Sequence, residues 1–375
     1  MDFTELKALI DRMPSYDIPA ADCIVIHKGQ TVFRHMTGYA DIEAGEKLTE
    51  KHLYNLYSAS KVATCATALT LLDKGCYKLD DPVYAYLPEF REMWVKKEGS
   101  DELVMAKIPV TIRQLFTMTA GLTYDLDTPY IRAVRAEKGD SATTRDYVGA
   151  IAKNPLIFEP GTHYNYSLCH DVLGALIEVW SGKTFGKCMK EALFDPIGMT
   201  ETGFARTDAV MSRVAYQYAG YQHADGSWDR KYKDNPFVFG PLYESGGAGL
   251  ISSVNDYALF VDAMTHHGKT RTGEQILKPE TVDLMRKDQL SPACRADFDT
   301  KINRPGYSYG LGVRTLVDAT KSPSAFGEFG WDGAAGAYLI IDPENEVSVM
   351  YAQHEFGAPW HHTEIRDAVY AGLRK

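Results

Sequence analysis

The chain has 375 residues, 45% of them apolar and 24% charged, with a formal net charge of -10. That length favours one or two closely packed domains over a single small core. The acidic balance, with no local run of Lys or Arg, argues against a nucleic-acid partner, because binding phosphate backbone needs a basic surface. No apolar run approaches the roughly 20 residues that span a bilayer, so no membrane partner is expected.

The opening residues 1–13 read as an amphipathic helix with Leu6, Leu9, Ile10 and Met13 on one face. They lack the basic, apolar and small-residue regions of a secretory signal. The six cysteines are scattered, with no Cys-x-x-Cys pair. Both features point to reduced thiols and a cytoplasmic location. Residues 22–39 predict two strands around a turn at Lys28-Gly29-Gln30. Ser58–Lys74 is the clearest helix, apolar nearly all round and closed by Gly75. Residues 111–119, 167–181, 256–265 and 279–287 continue the helical pattern. Strands return at 310–316, 336–341 and 347–353, the last two joined by the turn Asp342-Pro343-Glu344-Asn345. The expected fold class is α+β. Residues 1–50 and 300–375 form one antiparallel sheet flanked by the terminal helices, and residues 51–299 form an inserted, mostly helical part. A site belongs in the cleft between the two.

Three segments carry chemistry. In Ser58-Ala59-Ser60-Lys61 a hydroxyl and an amine lie one turn apart on one helix face. Ser58 needs a base before it can act as a nucleophile. Lys61, at the head of so apolar a helix, is expected to be desolvated and so to favour its neutral amine. The positive end of the helix dipole favours the alkoxide. In the second segment, Tyr166 stands just before the helix that starts at Ser167, placed to shuttle a proton, with Tyr164 as a neighbouring candidate. In the third, residues 326–336 form a glycine-rich turn into a strand, where a backbone N–H can meet a developing oxyanion.

Gly306-Tyr307-Ser308-Tyr309-Gly310 matches G-x-S-x-G, but Pro305 before it and strand-like residues 311–314 after it invert the strand–turn–helix context that motif needs. The pairs His266-His267 and His361-His362 are adjacent residues whose side chains diverge, so no metal site is expected.

These segments, in this order, resemble the serine beta-lactamase and penicillin-recognising family, most of all class C beta-lactamases and family VIII carboxylesterases. Leu79–Val83, Leu115–Leu122, Tyr166–Gly174, Gly246–Ser253 and Ile341–Glu344 extend the likeness over roughly nine-tenths of the chain. The resemblance implies a beta-lactamase/transpeptidase-like fold and no cofactor. It implies that Ser58 is the acylated nucleophile, Lys61 its proton acceptor and Tyr166 an assistant in acylation and deacylation. It aligns Glu328-Phe329-Gly330 with the family's Lys-Thr-Gly or His-x-Gly, so that Trp331, beyond Gly330, supplies an oxyanion N–H beside that of Ser58. A register with Trp331-Asp332-Gly333 in that place is also open.

Two departures stand out. Leu168 replaces the amide of the lactamase Tyr-x-Asn, and Glu328 replaces the cation that binds a substrate carboxylate. An acidic group there would repel beta-lactams and D-alanyl-D-alanine ends. The implied function is hydrolysis of small esters through an acyl-enzyme on Ser58, with a small-molecule ester or amide as partner. Alternatives on the same site are an acyltransferase, a D-amino-acid amidase or peptidase, or a weak beta-lactamase. A catalytically silent binding or assembly protein is the non-enzyme alternative, and a scaffold has no use for a costly buried lysine.

Overall fold

The computed structural model describes residues 1–97, 99–223, 228–357 and 360–374. Eight strands form the main sheet: β1 (Ala20–His27), β2 (Gln30–Asp41), β3 (Glu46–Lys47), β4 (Tyr307–Tyr309), β5 (Arg314–Leu316), β6 (Phe329–Gly330), β7 (Tyr338–Asp342) and β8 (Val347–Gln353). Their order is β4-β5-β6-β7-β8-β1-β2-β3, and every pairing is antiparallel. β1 therefore pairs with β8, joining the two ends of the chain as expected. β1 and β2 turn on Lys28 (φ 52°) and Gly29 (φ 72°), the left-handed pair that a two-residue hairpin needs.

The side-chain alternation of β1 shows how the sheet is buried. Ala21, Cys23 and Val25 point to a core shared with Leu6 and Ile10 of α1 (Thr4–Asp11) and with Ile365 and Val369 of α5 (His362–Arg374). Ala20, Ile24 and Ile26 point the other way, into the core beneath the inserted helices. Period-two side chains that are apolar on both sides make a sheet covered on both faces. The inserted part centres on α2 (Ser60–Asp73), α3 (Cys169–Ser181) and α4 (Val254–Thr265). Gly182 closes α3 in the left-handed conformation at φ 67°. All six cysteines are free thiols. Among the described residues no helix is long and apolar enough to cross a membrane.

Differences from expectation lie at boundaries and in short elements. The expected strand 310–316 shrinks to β5, because the Gly310 N–H turns back onto the Val313 carbonyl (2.8 Å) through Gly312 at φ 83°. The core of the G-x-S-x-G match is itself a strand, β4. Helices at Pro129–Lys138, Thr144–Ile151 and Pro292–Ile302 were not anticipated, although Thr128, Thr143 and Ser291 cap each by accepting a backbone N–H.

Gly312 sets how closely the sheet approaches α2. A Cβ there would lie 2.1 Å from Cys65 Sγ, whereas one on Gly29 would meet nothing within 4 Å. Gly312→Ala should therefore cost about 2–3 kcal/mol by overpacking, against about 1 kcal/mol of backbone strain for Gly29→Ala. Urea unfolding of the two variants checks this, and equal losses would show that α2 and the sheet are not in rigid contact.

Candidate active site

From His52 to Leu71 every residue is buried except Ser58. The backbone explains this exposure. Tyr57 adopts φ 48°, a left-handed conformation unfavourable for a bulky residue, and Tyr57–Ala59 form a single 3₁₀ turn before α2. Neighbours hold that turn in place. The Leu56 N–H donates to the Leu250 carbonyl (2.9 Å), the Leu250 N–H to Ser60 Oγ (3.1 Å), and the Tyr257 hydroxyl to the Ala59 carbonyl (2.7 Å). Gly333 packs so close that a Cβ would lie 2.3 Å from the Leu56 carbonyl oxygen. Ser58 is thus lifted out at the head of α2, where its N–H has no intrahelical carbonyl to reach.

Lys61 is completely buried. Its Nζ donates to Ser58 Oγ (3.2 Å), Tyr124 Oη (3.3 Å) and the Gly247 carbonyl (2.7 Å), three acceptors for three N–H groups. It also lies 4.6 Å from the centre of the Tyr166 ring. Gly247 has to be glycine, because a Cβ would come within 2.6 Å of Asp171 Oδ2 and 3.3 Å of Lys61 Nζ. Asp171, on α3, is fully buried. Its Oδ1 accepts from Tyr243 Oη (2.7 Å), Ser245 Oγ (2.7 Å) and the Gly247 N–H (3.4 Å). Burial alone would lower the Lys61 pKa, but the oxygens of Tyr124 and Tyr166 and the Asp171 carboxylate outweigh it, and the net direction is upward. An upward direction favours the ammonium, opposite to the neutral amine expected from burial alone. That expectation weighed desolvation without the acceptors that surround the nitrogen.

Tyr166 is half-buried and lies between two rings, stacked on Tyr124 (5.5 Å between centroids) and on Trp331 (5.6 Å). Its hydroxyl accepts from Trp331 Nε1 at 3.0 Å. Tyr164 packs fully buried against Phe298 and Tyr309, one ring removed from Trp331, which Tyr309 meets edge-on at 5.1 Å. The structure therefore brings Ser58, Lys61, Tyr166 and Trp331 into one connected group. Gly330 lies directly before Trp331 on β6, at φ 152°, where a Cβ would come 2.4 Å from the Leu339 carbonyl oxygen. Leu168 is core, its N–H bonded to the Thr123 carbonyl (3.1 Å). Ser308 is fully buried, with its hydroxyl on Asp288 Oδ1 (2.6 Å), which removes it as a nucleophile.

Glu328 does not face the cleft. Its carboxylate is completely buried, 3.0 Å from the equally buried Arg314 guanidinium, and it accepts from Tyr307 Oη at 2.6 Å. The expected repulsion of substrate by Glu328 is therefore absent. The strand alternation places Phe329 and Trp331 on the helical side and turns Glu328 to the other. Sequence reasoning missed Tyr124, Asp171 and Gly247. Asp171 and Gly247 lay inside segments already matched to the family, whereas Tyr124 gave no signal.

Comparison with known proteins agrees with this architecture. The sequence profile of the family described as Beta-lactamase matches residues 6–372. Protein Rv1367c of Mycobacterium tuberculosis (strain ATCC 25618 / H37Rv) is 31% identical, over 84% of this chain and 80% of its own. Esterase EstB of Burkholderia gladioli is 30% identical, over 94% of this chain and 90% of its own. Among solved structures, EstCE1, described as a hydrolase with promiscuous acyltransferase activity, superposes with a TM-score of 0.81 at 26% identity, covering 98% of this chain and 97% of its own. With a profile spanning nearly the whole chain and a fold that superposes on EstCE1, this chain belongs to the beta-lactamase family.

Proposed function

We propose that the chain is a serine carboxylesterase that hydrolyses small neutral esters through an acyl-enzyme on Ser58. The observation that carries this reading is the one accessible hydroxyl in a buried stretch, 3.2 Å from a fully buried lysine whose other two N–H groups are already engaged. A surface Ser–Lys pair has no such surroundings. Family membership and the likeness to an esterase support it.

In the proposed reaction Ser58 Oγ bonds to the ester carbonyl carbon while its proton passes to the Lys61–Tyr166 pair. The carbonyl electrons move onto oxygen, which the N–H groups of Ser58 and Trp331 receive. The carbon–alkoxide bond then breaks, and the pair returns the proton to the departing alcohol. Water repeats the sequence to release the acid. Because the resting Lys61 is an ammonium, the pair accepts the Ser58 proton only after losing one of its own. At the strand position where the family likeness expects a cation, Glu328 is turned away and neutralised by Arg314. A substrate carboxylate thus finds no counter-ion there, which favours neutral esters over beta-lactams. Transfer of the acyl group to an alcohol instead of water is a second reading, favoured by the acyltransferase activity described for EstCE1.

Hydrolysis of para-nitrophenyl acetate should disappear in Ser58→Ala, together with labelling by a fluorophosphonate, and should persist in Ser308→Ala. Tyr166→Phe should lower kcat about 100- to 10,000-fold, the range of a lost proton-transfer group. Nitrocefin turnover matching ester turnover in the wild type would overturn the substrate assignment. The pH profile is an independent check. The ester kcat/KM should climb from neutral into alkaline solution as Lys61, whose pKa is raised, loses its proton, and a profile flat over that range would contradict a resting ammonium.

A further inference from the structure

A cavity of about 520 Å³ opens on the face of the sheet turned away from Ser58. It lies between residues 302–305, the outer side of β5 and β7, and the first turn of α5. Trp331 packs with the helical-side core, whereas Tyr338 packs with the terminal helices. The Arg314 guanidinium lies over the Tyr338 ring at 4.8 Å, which places the cavity behind β6, the strand that ends just before Trp331.

Four cationic side chains line this space: Arg304, Arg314, Lys321 and Arg366. The buried carboxylates that answer them are Glu328, paired with Arg314, and Asp332, paired with Arg304 and Arg314. Asp367 reaches Arg366 Nε (3.2 Å) from a mostly exposed position. Exposed Lys321 makes no ion pair among the described residues; Asp318 lies near enough to feel its charge, and Glu364 stands in the first turn of α5. The crowding is visible in Arg304, whose pKa burial and then the Arg314 charge pull down to about 10.

Two buried polar atoms here lack a hydrogen-bond partner, Arg314 Nε and His362 Nδ1. His362 Nε2 lies 3.2 Å from the Gly336 carbonyl, which can only accept. The ring proton therefore sits on Nε2, and Nδ1 offers a lone pair. Asp332 Oδ2, another acceptor, is 3.7 Å from Nδ1. The opening N–H groups of α5, a helix of 13 residues, add donors from the same side.

Cations and helix-end donors together call for an anion with several oxygens. A carboxylate has two oxygens, and a phosphate group has more. We propose that this cavity binds a phosphate group, free or as a small monoester, through Arg304, Lys321, Arg366 and the start of α5. The site is separate from Ser58 and stands independently of the esterase reading.

Titration calorimetry of the full chain at constant ionic strength tests it, using inorganic phosphate, phenyl phosphate and acetate as probes. Phosphate should bind saturably at one site per chain. Lys321→Gln, which removes only an exposed charge, and Arg366→Gln should each weaken it about tenfold, the loss of one charge-assisted contact. Para-nitrophenyl acetate turnover without phosphate should be unchanged in Lys321→Gln. Tighter binding of phenyl phosphate would identify a monoester as the ligand, and equal binding would identify free phosphate. No heat with millimolar phosphate, equal binding of acetate, or unchanged affinity in both variants would overturn the proposal.

Discussion

The buried charge of Lys61 is the constraint around which the site is organised. An ammonium taken out of water costs several kcal/mol unless each N–H finds an acceptor and some negative charge lies near. The protein supplies both from segments far apart in the chain. Ser58 and Tyr124 flank the nitrogen, the Gly247 carbonyl closes its third direction, and Asp171 adds charge from α3. Much of the local sequence follows from that demand. Gly246 and Gly247 are small because their backbone must pass between α2 and α3. A Cβ on either would collide, with the His170 carbonyl oxygen at 2.2 Å in one case and with Asp171 Oδ2 at 2.6 Å in the other.

Solving the lysine's solvation problem also positions Ser58. The same contacts that hold α2 against the 246–250 segment fix the left-handed turn at Tyr57, which no isolated peptide would adopt unaided. The strain lies one residue before the exposed hydroxyl, and the sheet presses on it through Gly333. The sheet is thus part of the site: β6 delivers Trp331 to Tyr166, and the turn beyond it props the loop that presents Ser58.

Legibility in the sequence followed the range of the interactions involved. The β1–β2 hairpin, α2, α3 and the β7–β8 turn were readable because local signals fix them: Lys28-Gly29, Gly75, Gly182 and Asp342-Pro343. Pairing of β1 with β8 was readable from where apolar strands cluster. Short helices such as Pro129–Lys138 and Pro292–Ile302 escaped because their apolar faces are weak, although their Thr-Pro and Ser-Pro openings were visible. At the site, Ser58, Lys61, Tyr166 and Trp331 came from motifs with fixed spacing. Tyr124 could not, since its role depends only on the fold carrying its hydroxyl to a nitrogen 63 positions away.

Glu328 shows why a matched position does not fix a side chain's environment. The motif register placed an acid where the family likeness led one to expect a cation, and charge logic then predicted repulsion at the substrate. A strand, however, sends neighbouring residues to opposite faces. Here Phe329 and Trp331 take the cleft side, and Glu328 is left to the outer side among Arg314, Tyr307 and Ser324. Its charge is balanced before any substrate could sense it. Position 328 belongs to the outer face whatever residue fills it, so on the cleft side the structure offers Trp331 instead. The same alternation that brings Trp331 to Tyr166 on one side leaves Glu328 to Arg314 on the other, so one short strand serves both the site and the cationic cavity behind it.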